Sequence, residues 1–188
     1  MSHAQAQESL PVIEPGSERS FGQRLLGAVR LDPAAWDEIA ADPGALGQAA
    51  AIVVGTTLAS AFASGAGSTT AAAIQGAVGT FVTWPVFAVL LWAIANWFRH
   101  PLRAGVAFRL VGFAMAPLAL VALTAVPLAP LQMVVRLLAL ALFFAALVIG
   151  CRQALRVETM RAAFVCLMVG IVTVFLSMLL LMLSLSGS

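Results

Sequence analysis

The stretch RHPLRAGVAFR, Arg99–Arg109, decides how this chain is read. It holds three Arg, and on either side of it the charge stops. Upstream, Ala71 to Phe98 carries no charged residue; downstream, none appears until Arg136. A membrane-spanning helix needs about 20 largely apolar residues, and both flanks supply them. Working outward, the pattern repeats. Five apolar runs emerge, at Leu46–Ser64, Ala71–Phe98, Phe108–Val126, Leu131–Cys151 and Ala162–Leu185. The whole chain is 62% hydrophobic and 10% charged, against about 25% charged in a soluble domain. It lacks the polar surface to cover a globule in water. The reading is an all-α, polytopic membrane bundle of five helices.

The connections fix its direction. Ser64–Thr69 (SGAGST) and Pro127–Pro130 (PLAP) are uncharged, whereas Arg99–Arg109 and Arg152–Arg161 (RQALRVETMR) each hold three Arg. Arg19, Arg24 and Arg30 precede the first run, so five spans place nine of the ten Arg on one side. Basic residues are retained on the cytoplasmic side. The N-terminus is therefore expected on the cytoplasmic side and the C-terminus outside; the expected location is a cell inner membrane. The net charge of +2, made of Arg between apolar tracts, is no nucleic-acid signal, and no nucleic-acid partner is expected. Arg136 is the exception, about a turn and a half into the fourth run on the outer side. It reads either as snorkelling to headgroups or as lining a polar pocket.

Before the first span the chain is punctuated twice, by Asp32-Pro33 and Asp42-Pro43. Asp accepts hydrogen bonds from free N–H groups at a helix start, and Pro fits the first turn because its N–H is absent. Each pair is a helix start signal. Between them Ala35, Trp36, Ile39 and Ala40 share a face, while Asp37 and Glu38 point elsewhere. Upstream, Phe21, Leu25, Leu26, Ala28 and Val29 oppose Arg19, Gln23, Arg24 and Arg30. The expectation is two amphipathic helices on the cytoplasmic interface, with Trp36 at headgroup depth. Residues 1–17, polar and acidic without an apolar core, read as a flexible tail and not as a signal peptide. The organisation is thus a tail at 1–17, amphipathic helices at 18–41 and a five-helix domain at 42–188.

Within the spans, Gly47, Ala51, Gly55, Ala59 and Ala63 recur every fourth residue and predict a smooth helix-packing face, within the chain or between copies. Pro85 and Pro117 predict kinks. Gln75, Thr80, Thr83, Asn96, Thr124, Gln132 and Thr173 are candidates to bridge helices. No Asp or Glu lies in a span, so a proton relay has no carboxylate. Glu158 is expected to pair with Arg161 or Arg156. Cys151 and Cys166 match no metal or redox spacing, and Cys151 is open to palmitoylation. No catalytic residue, metal ligand or cofactor site emerges.

Three stretches carry a resemblance. DPAAWDEIAADPGALGQA (Asp32–Ala49) resembles the segment before the first span of the Yip1 family. FRLVGFAMAPLALVAL (Phe108–Leu123) resembles its third-span motif, with Arg109, Gly112, Phe113 and Pro117. ALVIGCRQALRVETMRA (Ala146–Ala162) resembles its Gly-x-Arg-x-Ala loop, here Gly150, Arg152 and Ala154, then Thr159, Arg161 and Ala162. The resemblance implies a five-span membrane protein without enzymatic chemistry. Eukaryotic members bind Rab-type GTPases through an Asp-Leu-Tyr-Gly-Pro-like motif; this chain has no Tyr, so that binding is not carried over.

The expected function is membrane organisation or recruitment of a partner. Arg30, Trp36, Arg99, Arg103, Arg109, Arg152, Arg156 and Arg161 are the candidate contacts to lipid headgroups or a partner protein. The partners implied are membrane lipids and either another protein or a second copy. A small-solute permease or channel, with Arg136 as its pocket, and an accessory subunit of a larger inner-membrane complex are the alternatives.

Overall fold

The computed structural model describes residues 19–65, 70–126 and 128–186. The expected tail and most of the Ser64–Thr69 connection fall outside them, as do Pro127 and the last two residues. The described chain is helical throughout: α1 (Phe21–Val29), α2 (Pro33–Ala41), α3 (Ala45–Gly65), α4 (Thr70–Trp97), α5 (Ala104–Ala114), a 3-10 helix (Ala116–Ala125), α6 (Ala129–Leu155) and α7 (Thr159–Ser186). Among the described residues, four stretches are long and apolar enough to cross a membrane: Ala45–Ala63, Ala104–Ala125, Ala129–Leu155 and Thr159–Leu176. Phe81–Trp97, the second half of the 28-residue α4, is a shorter apolar helix. The architecture is a multi-pass membrane helix bundle.

Both Asp-Pro pairs start helices. Asp32 accepts from the Ala34 N–H at 3.0 Å and Pro33 opens α2; Asp42 accepts from the Gly44 N–H at 2.7 Å just ahead of α3. α1 begins with a capping box, in which Ser20 and Gln23 exchange side-chain to backbone bonds. It ends with Leu31 at φ 61°, where Asp32 N–H bonds Gly27 C=O at 2.9 Å and Leu31 N–H bonds Ala28 C=O at 3.1 Å. That pair of bonds closes the last turn and reverses the chain, laying α2 back on α1. Gly27 makes room, since a Cβ there would lie 2.6 Å from the Ala35 Cβ.

The third span changes geometry halfway. Pro117 has no N–H for the Phe113 carbonyl, so the α-helix stops at Ala114 and the chain continues as a ten-residue 3-10 helix. Runs of that geometry beyond three or four residues are uncommon. The expected kink at Pro117 is thus a change of helix type. Pro85, by contrast, is passed without interruption of α4.

The core is one cluster, and the N-terminal helices belong to it. Ala28, Trp36 and Ile39 are buried with Ala49, Leu91, Leu110, Phe113, Leu147 and Val169. Trp36 corrects the headgroup expectation: it is 0% exposed. Its ring lies over Gly150, where a Cβ would be 2.8 Å from Cε3. α2 carries its apolar face into the space between α5 and α6, because that face meets protein there before it can meet lipid. The boundary expected at residue 42 is therefore no break in packing.

α3 also turns differently from expectation. Its inward face is Ala45, Ala49, Ile52, Val53 and Thr56, with Ala49 seated against Gly112, where a Cβ would lie 2.6 Å away. Gly47, Ala51 and Gly55 sit on the opposite side and are exposed, and a Cβ at Gly47 or Gly55 would meet nothing within 4 Å. Ala59 and Ala63 are half-buried. Within the chain, the close contact is made by Ala49 and not by the Gly47–Gly55 side.

The polar side chains mostly serve their own backbone. Thr83 donates to Gly79 C=O, Thr124 to Val121, Thr173 to Val169, and Asn96 to Trp92 and Leu102. A hydroxyl one turn on from a carbonyl finds it without a second helix. The link between α4 and α5 is instead Trp84 Nε1 donating to Phe108 C=O at 2.9 Å, with the two rings edge to face. The side chains of Gln75 and Thr80 lie outside what is described.

Candidate functional site

The two Arg-bearing connections come together at one end of the bundle. Phe98 and Phe164 meet edge to face at 5.6 Å, and Phe98, His100, Met160 and Arg161 border a shallow cavity of about 360 Å³ between them. Arg99, Arg103, Arg152, Arg156 and Arg161 are all exposed there. Arg99 and Arg156 occupy left-handed backbone, at φ 60° and 52°, where α4 and α6 end. Glu158, expected to neutralise one of them, is exposed and forms no ion pair among the described residues.

Beside this end, α1 and α2 are tied down by charge. Arg19 Nη1 lies 2.8 Å from Asp32 Oδ2, and Arg19 Nε lies 3.2 Å from Glu38 Oε1. Arg24 bonds Asp42 through Nη1, reaches Gln48 at 3.5 Å, and holds Glu38 Oε2 3.8 Å from its Nε. Arg24 is 4% exposed. Burying a guanidinium is costly unless it is paired, and Asp42 at the head of the first span supplies the pair. The Arg19 bond, helped by the Ala34 N–H, holds the Asp32 carboxyl below the usual range. The Arg24 bond, helped by the Gly44 N–H, does the same for Asp42.

These groups surround an open cavity of about 910 Å³, bordered by Arg19, Arg24, Arg30, Asp32, Glu38 and Asp42. Arg30 is exposed at its edge and has no acidic partner among the described residues. Arg109 is placed otherwise than expected. It is 7% exposed, donates from Nε to Gly105 C=O at 3.1 Å, and faces the charge of Asp42. Its Nη1 is buried without a hydrogen-bond partner. Arg109 is thus part of the interior beneath the cap and no headgroup contact. Arg136 is exposed on α6 and borders neither of these cavities.

Arg24 and Asp42 were not singled out as a pair by sequence, because eighteen residues and a reversal separate them. The capping box had a signal, Ser20-x-x-Gln23. Cys151 and Cys166 also had none. Both thiols are buried, and Cys166 is a near neighbour of Cys151 across α6 and α7. In this arrangement Cys151 is not presented to an acylating enzyme. No group of three His, Cys, Asp or Glu suited to a metal occurs among the described residues.

A family model described as the Yip1 domain matches residues 27–182. The chain belongs to the Yip1 family. The match begins at Gly27, within α1, and runs into α7, so it takes in α2 as well as the long apolar helices. Comparison with curated proteins and with solved structures gives no match. This Yip1 protein is a multi-pass membrane protein, and its charged cap is the feature from which a role is to be read.

Proposed function

We propose that this Yip1 protein is a non-enzymatic organiser of the inner membrane that recruits a partner at its arginine-rich end. The N-terminus and that end would face the cytoplasm, with five spans and the C-terminus outside. One observation carries the reading: five exposed guanidinium groups, at Arg99, Arg103, Arg152, Arg156 and Arg161, share one end of the bundle. A cluster of exposed cations, without acidic partners among the described residues, suits an acidic protein surface or anionic headgroups, at about 1 kcal/mol per Arg near a charged membrane. The exposed Gly47–Ala51–Gly55 side of α3 supports a second contact, with a partner helix or another copy.

The test is gentle extraction in native-lipid particles, followed by mass spectrometry of what accompanies the protein. Replacing Arg99, Arg103, Arg152 and Arg161 by Gln is expected to release a protein partner while the bundle stays folded. Retention of every partner by that variant refutes the recruiting face. Deleting α1 and α2 is not a usable control, because Trp36 and Ile39 would leave the core.

A further inference from the structure

We infer that the protein holds one phospholipid at the outer face of α1, with its phosphate on Arg30 and an acyl chain along the 3-10 helix. Two cavities border α1 there. The charged one reaches α1 through Leu26 and Arg30. The second, of about 340 Å³, is bordered by Val29, Pro117, Ala119, Leu120, Leu123 and Leu142. Leu26, Val29 and Arg30 lie at i, i+3 and i+4, which is one face of a helix. A single stripe of α1 therefore borders a polar space at one edge and an apolar groove at the other.

The chemistry of each half selects the occupant. In the polar half the carboxylates are taken: Asp32 by Arg19, Glu38 by Arg19 and Arg24, Asp42 by Arg24. Arg30 alone is left with charge to satisfy, which matches one phosphate. The apolar half has no polar side chain in its border. From Ala116 to Leu123 a 3-10 helix rises about 2 Å per residue, giving a groove about 14 Å long. Its volume exceeds that of the roughly 150 Å³ apolar cavities that take up benzene. Ala119 and Leu123 are exposed along it, so a chain enters sideways from the bilayer. A ligand charged at one end and apolar for the rest is a membrane lipid. This site goes beyond the recruiting role and stands whether or not a protein is bound.

The test is native mass spectrometry of the full chain in detergent, titrated with phosphatidylglycerol, with diacylglycerol of the same chains, and with glycerol phosphate. The first phosphatidylglycerol is expected to bind about fivefold more tightly than diacylglycerol. Arg30→Gln should erase that difference. Ala119→Phe, which fills the groove from an exposed position, should weaken both lipids. Equal binding of the two lipids by the unaltered protein overturns the phosphate contact. Unchanged binding by Ala119→Phe overturns the groove. Glycerol phosphate binding as tightly as phosphatidylglycerol would assign Arg30 to a free phosphate and overturn the lipid. Thermal unfolding of each variant confirms that both remain folded.

Discussion

At Gly150 a hydrogen atom is all that fits. The Trp36 ring covers the position, so Gly150→Ala forces the ring or the backbone aside, at about 1–3 kcal/mol for overpacking. Thermal unfolding in detergent checks this, and the cost should shrink when Trp36→Leu is present, because the two residues share the contact. The charges of the cap make a second prediction at this scale. Asp32 and Asp42 have folded pKa values below the ordinary value of about 3.9. Their contribution is therefore fully present above that value and is lost as pH falls through the lowered one. Amide exchange of α1 should be flat from pH 8 to 5, after correction for intrinsic rates, and should rise only below about pH 4. A rise between pH 7 and 6 would mean that other groups hold the cap. Both Asp residues were legible in sequence as helix starts, since Asp-Pro is a local signal. Their Arg partners were not, since nothing local links Arg24 to Asp42. Trp36 misled because an amphipathic face looks the same whether lipid or protein covers it.

Between elements, α6 and α7 form a hairpin with a buried thiol on each, the two being near neighbours. Diamide, taking one hydrogen from each thiol, should join Cys151 to Cys166 as a disulfide while the oxidant is reduced to its hydrazine. The denatured, oxidised protein should then show no maleimide-reactive thiol, and Cys151→Ser should leave Cys166 fully reactive. Two reactive thiols after full oxidation would place the helices further apart. The long helices were legible because apolar runs of this length have little else to become. The inward face of α3 was not. Small residues occupy both of its sides, and only Gly112, on another helix, decides that Ala49 faces in. The start of the third span at Ala104 was hidden by Arg109, whose burial depends on Asp42 across the fold.

The whole molecule is polarised, with exposed Arg concentrated at one end. If that end is cytoplasmic, a reporter fused after Ser188 should be active only outside the cell and one fused before Met1 only inside. The same side for both would remove one span from the count. The family was legible from three short stretches because each marks a place where helices meet: Asp42 at the cap, Pro117 at the change of helix type, Gly150 beneath Trp36. The third span has a further property as a strut across the bilayer. Its ten 3-10 residues are drawn out relative to an α-helix by about 0.5 Å each. Rewinding them would shorten the strut by about 5 Å, close to the difference in thickness between thin and thick cellular membranes. The span thus reaches about 5 Å further across the bilayer than the same ten residues would as an α-helix.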